Sequence, residues 1–263
     1  GAALATIIAQ GVSAVWVVLF LVGKKTKLRL QPRYFQFDKK VMLPVLALGL
    51  SPFIMQATES AVNIALNSSL QRYGGDLAVG AMTICSSVMQ VVFMPLQGLT
   101  QGAQPIISFN FGAGNFDRVK KTFRLLITTG FTATLLIWCF IQFFPEPFVA
   151  LFNDKEDLTN ITVWALRIYM SGIFMMGIQT CCQQTFVALG QAKVSLFLAL
   201  LRKVILLIPL VFILPLFLQD KVFAVFLAEP IADITAALST GTMFLLRFGK
   251  ILKHREEVLS AQK

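Results

Sequence analysis

The sequence predicts an all-α fold, a polytopic transmembrane helical bundle. Hydrophobic residues make up 56% of the 263 residues and charged residues only 14%, whereas a soluble domain carries about a quarter charged residues. Several apolar runs approach the roughly 20 residues that a helix needs to cross a bilayer. A transmembrane barrel would instead show alternating segments of about 10 residues, and the sequence has no such segments.

We predict about seven membrane spans, separated by shorter polar stretches. In chain order they cover 1–23, 41–68, 78–108, 122–144, 161–189, 194–218 and 221–247. The first residue already lies inside an apolar run, and no initiator Met or signal peptide precedes it. We therefore expect the chain to be the C-terminal part of a longer protein.

The basic residues orient the spans. The loops at 24–40, 109–124 and 190–193, together with the tail from residue 247, hold 17 of the 23 Lys and Arg residues. The opposite loops hold three basic and six acidic residues. By the positive-inside rule, the basic loops and the C-terminus face the cytoplasm of a plasma (inner) membrane. The net charge of +10 therefore reflects the orientation of the chain in a lipid bilayer. We expect no nucleic acid partner.

Signatures of metal, nucleotide and catalytic sites are absent from the sequence. The four cysteines lie in predicted spans without a C-x-x-C pattern, so we expect neither disulfides nor a structural metal site. The sequence contains no GxGxxG, Walker, GxSxG or HExxH motif and no aspartate dyad, and its single histidine, His254, lies in the tail. We expect no cofactor and no enzymatic activity.

One face of the second span is polar although the span lies in an apolar run. At helical spacing this face carries Gln56, Glu59, Ser60, Asn63 and Asn67. An ionisable group in the hydrocarbon layer is costly by several kcal/mol, and it usually faces a wet cavity on an ion or proton path. We predict an ion-binding or proton-coupling site at Glu59, Gln56 and Asn63. Asn67 is predicted to line an adjoining ligand cavity.

The third span carries a polar stripe of its own, and we expect Pro95 to break its helix midway. The stripe consists of Thr83, Ser86, Ser87, Gln90, Gln97, Gln101 and Gln104. Amide side chains can bond ions, water or ligands without carrying a charge. We predict that Ser87 and Gln90 line the same cavity. The alternative is that these amides bond neighbouring helices.

The fifth span combines flexible and polar side chains that suit a surface for ligands of different shapes. They are Met170, Met175, Met176, Gln179, Gln183 and Gln184. We predict that Met176 and Gln183 line the ligand cavity. The alternative is that the apolar members face lipid or the core.

Charged residues also occur in the last two spans. Arg202 and Lys203 lie in the sixth, and Glu229 and Asp233 lie four residues apart on one face of the seventh. Two ionised carboxylates at that spacing repel, so we expect one to be protonated or Arg202 to lie nearby. We predict Asp233 as a second ion-coupling group, Arg202 as a cavity residue and Glu229 at the outer membrane interface.

Several stretches, taken in order, resemble the multidrug and toxic compound extrusion (MATE) transporters. They are GAALATIIAQ, SPFIMQATES, PLQGLTQGAQPIISFNFGAGNFDRVKK, RKVILLIPLVFILP and EPIADI, and they cover nearly the whole chain. The resemblance implies a protein of twelve helices in two lobes, of which these spans are the sixth through twelfth. The C-terminal lobe would then be present here, and the N-terminal lobe would be its partner.

The resemblance also assigns the parts of the chain. It makes 1–23 the last helix of the N-terminal lobe, 24–40 a basic cytoplasmic linker between the lobes, 41–247 the six-helix C-terminal lobe and 248–263 a cytoplasmic tail. Glu59 matches an acidic residue in the seventh helix of many members. Some members place an aspartate in the tenth helix as a cation partner, and this sequence has Gln179 there. By this match we include Gln179 among the predicted ion-binding or proton-coupling residues. The departure from aspartate leaves sodium and proton both open as the coupling ion.

The function that the resemblance implies is secondary active efflux. Such a transporter exports drugs or organic cations by alternating access in exchange for sodium or protons. A flippase for lipid-linked saccharides would instead be favoured by a longer series of cavity-facing cations, and only Arg202 and Lys203 qualify. A seven-helix receptor is a further alternative. The intramembrane glutamine stripes and the start of the chain inside a helix argue against it.

Overall fold

The computed structural model describes residues 2–23, 39–152 and 156–260, which form helices and their connections with no strand among them. The chain divides into two units, Gly1–Leu50 and Ser51–Lys263. The first unit contains helix α1 (Ala2–Val22), an apolar helix that coincides with the first predicted span. Most of the predicted interlobe linker, residues 24–38, lies outside the described residues, as do the last three residues of the predicted tail.

Helix α2 (Lys39–Gly112) is divided by a glycine. Gly75 has φ 63° and ψ −159°, the one non-helical conformation within these 74 residues, and it separates an arm at 39–74 from an arm at 76–112. Glycine adopts this backbone conformation without steric cost because it lacks a Cβ atom. The prediction that Pro95 breaks the helix is wrong, since the backbone stays helical there. The fixed φ of proline fits a helix, and the residue removes one N–H donor.

The remaining helices follow with short connections. They are α3 (Phe116–Phe143), α4 (Glu146–Ala150), α5 (Glu156–Tyr169), α6 (Ile173–Ala188), α7 (Ala192–Leu200), a π-helical segment (Leu201–Leu207), α8 (Ile208–Phe217) and α9 (Lys221–Ser260). The predicted fifth span is a pair, α5 and α6, bent by 49°. Helix α9 continues beyond residue 247, so the described part of the predicted tail is helical.

Among the described residues, five helices are long and apolar enough to cross a membrane, or six if the bent pair counts as one span. One of these segments, Gln56–Gly112, has 57 residues, more than twice the roughly 20 that a bilayer requires. Helix α2 as a whole, divided by Gly75, contains both the predicted second span (41–68) and the predicted third span (78–108). The predicted all-α transmembrane fold is confirmed.

Helix α9 lies at the centre of the second unit. Helices α5, α6 and α8 and the π-helical segment all pack on it. The main core joins both arms of α2 to α5 and α9, where Leu70, Cys85, Leu166 and Phe226 are buried. All four cysteines are free thiols.

Helices α3 and α6 approach closely because small residues face each other. A Cβ atom at Gly177 of α6 would lie 2.9 Å from the carbonyl oxygen of Gly130 on α3, and it would also meet the Thr134 hydroxyl. Thr134 donates a hydrogen bond of 3.2 Å across this contact to the carbonyl oxygen of Phe174. This contact fixes α6, which in turn packs against α9.

Candidate functional site

The π-helical segment places two adjacent cations inside the second unit. At the end of this segment the N–H of Ile208, the first residue of α8, donates to the carbonyl oxygen of Lys203, five residues earlier. A π-helical turn holds one residue more than an α-helical turn, and such turns are frequent at functional sites. Arg202 and Lys203 both lie within this turn, between two strongly apolar helices.

Arg202 binds two carboxylates of α9 with its guanidinium group. Its Nε atom lies 2.6 Å from Asp233 Oδ1 and its Nη2 atom lies 2.9 Å from Glu229 Oε1. Glu229 and Asp233 are one helical turn apart on the same face, so a single planar fork can reach both. The two acids are 5% and 1% exposed. The expectation that Arg202 lies near this pair is confirmed, whereas Glu229, expected at the outer interface, is buried beside Arg202.

Lys203 connects the π-helical segment to α2. Its Nζ atom forms an ion pair with Oε2 of Glu59, whose side chain is 45% exposed. Two cations therefore face three carboxylates, those of Glu59, Glu229 and Asp233. When all five groups are ionised, the network carries one excess negative charge. We call these five residues the charge network.

One carboxylate oxygen of the charge network is unpaired. Glu229 Oε2 is buried and has no hydrogen-bond partner among the described residues. Leaving a buried charged acceptor unsatisfied is costly. This oxygen can accept a proton or contribute one ligand to a cation. No group of three or more His, Cys, Asp or Glu residues in the described part of the chain is arranged to hold a metal ion.

A polar cavity of about 240 Å³ lies between the two arms of α2. Its lining combines polar side chains from both arms with two apolar ones: Asn63, Leu66, Asn67, Met82, Thr83, Ser86, Ser87 and Gln90. The structure thus brings together four predicted site residues, Asn63, Asn67, Ser87 and Gln90. Asn63 follows Glu59 by one helical turn, a rise of about 6 Å. The polar cavity therefore begins close to the charge network.

The other predicted site residues lie elsewhere. Gln56 is exposed, and Met176 is buried in the main core, which agrees with the apolar alternative. Gln183 donates a hydrogen bond of 3.3 Å to the carbonyl oxygen of Ser195, so it joins α6 to α7. Gln179 is buried, and its Oε1 atom lacks a partner among the described residues. Arg202, predicted as a cavity residue, is held by the carboxylates of α9.

The pairing of Lys203 and the burial of Glu229 were not predicted from the sequence. Lys203 interrupts a strongly apolar run, and a lysine at that depth requires an anionic partner. That signal could have linked it to Glu59. The position of Lys203 depends on the π-helical turn, and no simple sequence pattern predicts such a turn.

The model of the MatE family matches residues 52–213, which is more than half of the chain. The multidrug export protein MepA of Staphylococcus aureus (strain MSSA476) is 25% identical over 251 residues, a match that covers 94% of this chain and 54% of MepA. The chain therefore spans about half the length of the curated relatives that it matches.

Solved structures share the fold. The MATE multidrug transporter DinF-BH has a TM-score of 0.79 and 31% identity, covering 96% of this chain and 56% of DinF-BH. An inward-facing multidrug resistance MATE family transporter has a TM-score of 0.82 at 19% identity, covering 96% of this chain and 58% of that structure. The resemblance drawn from the sequence is confirmed. The chain is part of a multi-pass membrane protein and belongs to the MatE family, the multidrug and toxic compound extrusion proteins.

Proposed function

We propose that this chain forms part of a secondary active efflux transporter that exports cationic or amphipathic drugs in exchange for sodium or protons. It acts by alternating access in the plasma (inner) membrane, with its C-terminus in the cytoplasm. The relatives support export, since MepA is named as a multidrug export protein and DinF-BH as a multidrug transporter. The observation that carries the coupling is the charge network, with its three carboxylates and two cations.

The imbalance of charge provides a reason for coupling. A buried excess charge is unfavourable in an apolar interior, and binding of one proton or sodium ion removes it. The network joins three separate elements, α2, the π-helical segment and α9. Its charge state therefore affects how strongly these elements are held together. An ion that binds one arrangement of helices more tightly than another shifts the population toward that arrangement.

Glu59 links this ion site to the substrate. It pairs with Lys203, and its partly exposed side chain lies one helical turn from Asn63 in the polar cavity. A cationic drug in that cavity is attracted by the excess negative charge of the charge network, whose partly exposed carboxylate is Glu59. Drug and coupling ion then compete for Glu59, which is the exchange that antiport requires.

The test measures drug accumulation in cells that express the full-length protein, with sodium and pH varied independently. We expect Glu59→Gln to abolish efflux and wild-type efflux to depend on one of the two ions. The matched control is Glu146→Gln, which removes an exposed carboxylate outside the charge network and should leave efflux unchanged. Efflux that survives Glu59→Gln with its ion dependence intact would refute the role of Glu59.

The same experiment separates export from lipid flipping. A flippase for lipid-linked saccharides needs cations that are free to hold a pyrophosphate, and both Arg202 and Lys203 are paired with carboxylates. A wild-type protein that exports no drug under any ion gradient would contradict the antiporter proposal. Drug binding without flux would instead favour a receptor.

A further inference from the structure

A second cavity, of about 390 Å³, lies beside the C-terminal part of α9. Its first lining residue on that helix, Arg247, is 14 positions beyond Asp233 of the charge network. The C-terminal part of α9 forms one wall of the cavity, with Arg247, Lys250, His254 and Arg255. Phe111, at the end of α2, and Leu189, after α6, contribute apolar surface. No residue of the charge network or of the polar cavity between the arms of α2 takes part.

The lining of this cavity is strongly basic. Arg247, Lys250 and Arg255 carry positive charges, and no carboxylate belongs to the lining in the described part of the chain. Glu256 and Glu257 follow on the same helix, but they are exposed and lie outside the lining. Cations concentrated in a concave surface with apolar walls attract an anionic ligand more strongly than scattered surface charges do.

Arg255 carries an unsatisfied donor at this site. Its guanidinium lies over the ring of Phe111, 6.0 Å from the centroid, an arrangement that orients the planar group. Its Nε atom is buried and has no hydrogen-bond partner within the described ranges. A buried donor without an acceptor is unfavourable. An acceptor supplied by a ligand, such as a phosphate oxygen, would satisfy it.

The cavity lies at the membrane side that we predict to be cytoplasmic. Gln191, in the basic turn at 190–193, also lines it, and α9 passes from its apolar to its polar part here. The cytoplasmic leaflet is rich in anionic lipids, and basic pockets between transmembrane helices on this side bind their headgroups. The apolar walls fit a glycerol backbone and the start of an acyl chain, which a free phosphate lacks.

We propose that this cavity binds the phosphate-bearing headgroup of an anionic membrane phospholipid. Arg247, Lys250 and Arg255 contact the phosphate. Phe111 and Leu189 contact the glycerol and the first methylene groups. The proposal does not depend on efflux or on the charge network, so either can fail without the other.

The test measures equilibrium binding to the purified full-length protein in neutral detergent by thermophoresis. Three probes are compared: dihexanoyl phosphatidylglycerol, dihexanoyl phosphatidylcholine and inorganic phosphate. We expect saturable binding of phosphatidylglycerol and at least about tenfold weaker binding of the other two probes. Equal binding of the two lipids would overturn the proposal. Inorganic phosphate that binds as tightly as phosphatidylglycerol would overturn the lipid assignment in favour of a free phosphate.

Variants test the location of the binding site. The triple variant Arg247→Gln, Lys250→Gln and Arg255→Gln should weaken phosphatidylglycerol binding at least about tenfold. The control neutralises three cations on α3, the residues Arg118, Lys120 and Lys121, and should change binding less than about twofold. Equal losses in the two variants would overturn the proposal.

A single variant keeps the proposal testable if the triple variant does not fold. Lys250 is exposed, and Lys250→Glu reverses one charge at the cavity with little effect on packing. It should weaken phosphatidylglycerol binding at least about fivefold and leave the unfolding temperature unchanged. Unchanged binding in this well-folded variant would contradict the proposal.

Discussion

Arg202 Nε lies 2.6 Å from Asp233 Oδ1, and this bond joins the π-helical segment to α9. The same guanidinium also reaches Glu229, so one cation is shared by two buried carboxylates. Removing one member of a buried ion pair leaves an uncompensated charge, which costs more than removing the whole group. Arg202 is therefore the residue on which the charge network depends.

We expect Arg202→Met to destabilise the full-length protein by about 3–5 kcal/mol, because both carboxylates of α9 lose their counterion. Arg202→Lys should give a smaller loss, since an ammonium group cannot reproduce the planar fork. Thermal unfolding in detergent measures both effects.

Adding Glu229→Gln and Asp233→Asn to Arg202→Met should recover most of the stability. The exposed Arg124→Met is the control and should change little. A stable Arg202→Met variant would contradict this prediction.

The close contact of α3 and α6 makes a second prediction. Gly177→Ala places a methyl group against Gly130 and Thr134, and overpacking of this kind costs about 1–3 kcal/mol. The control is Gly102→Ala in the second arm of α2, where a Cβ atom meets nothing within 4 Å. That change should be neutral or slightly stabilising, because alanine favours a helix over glycine. Equal unfolding temperatures for the two variants would show that α3 and α6 are farther apart.

The break in α2 gives a third prediction. Gly75 has a positive φ with an extended ψ, a conformation that other residues adopt only at a cost of about 1–3 kcal/mol. Gly75→Ala should therefore lower stability although the added methyl group meets no atom within 4 Å. Gly98→Ala has equal space within a regular helix and is the matched control. A Gly75→Ala variant as stable as the Gly98→Ala variant would argue against this break.

The polar cavity between the arms of α2 makes a fourth prediction. Gln90 lines the cavity, whereas Gln101, on the same helix arm, is exposed outside it. If the cavity binds drugs, Gln90→Leu should raise the half-saturating drug concentration about fivefold, which corresponds to one hydrogen bond of about 1 kcal/mol. Concentration-dependent efflux measures this change, and Gln101→Leu should leave it unaltered. Identical values for the two variants would place the drug site elsewhere.

Periodicity in the sequence predicted part of the candidate site. The offsets of Glu59, Asn63 and Asn67 put them on one helix face, and the structure places the two asparagines in a cavity with Ser87 and Gln90. For Met176 and Gln183, periodicity could not distinguish a cavity from a core or an interhelical bond. Thioethers and amides suit all three environments, so only packing assigns them.

The class of the protein follows from its amino-acid sequence alone. A chain can satisfy its backbone in a bilayer only as helices or as a closed barrel. The long apolar runs of this sequence favour helices, and its ordered motifs identified the family. Which charged residues pair with each other depends on the tertiary structure. Lys203 and Glu59 are 144 positions apart in the chain, and Arg202, in the π-helical segment, bonds both acids of α9. Short-range patterns fix which face a residue occupies, whereas contacts between distant segments depend on how the helices pack.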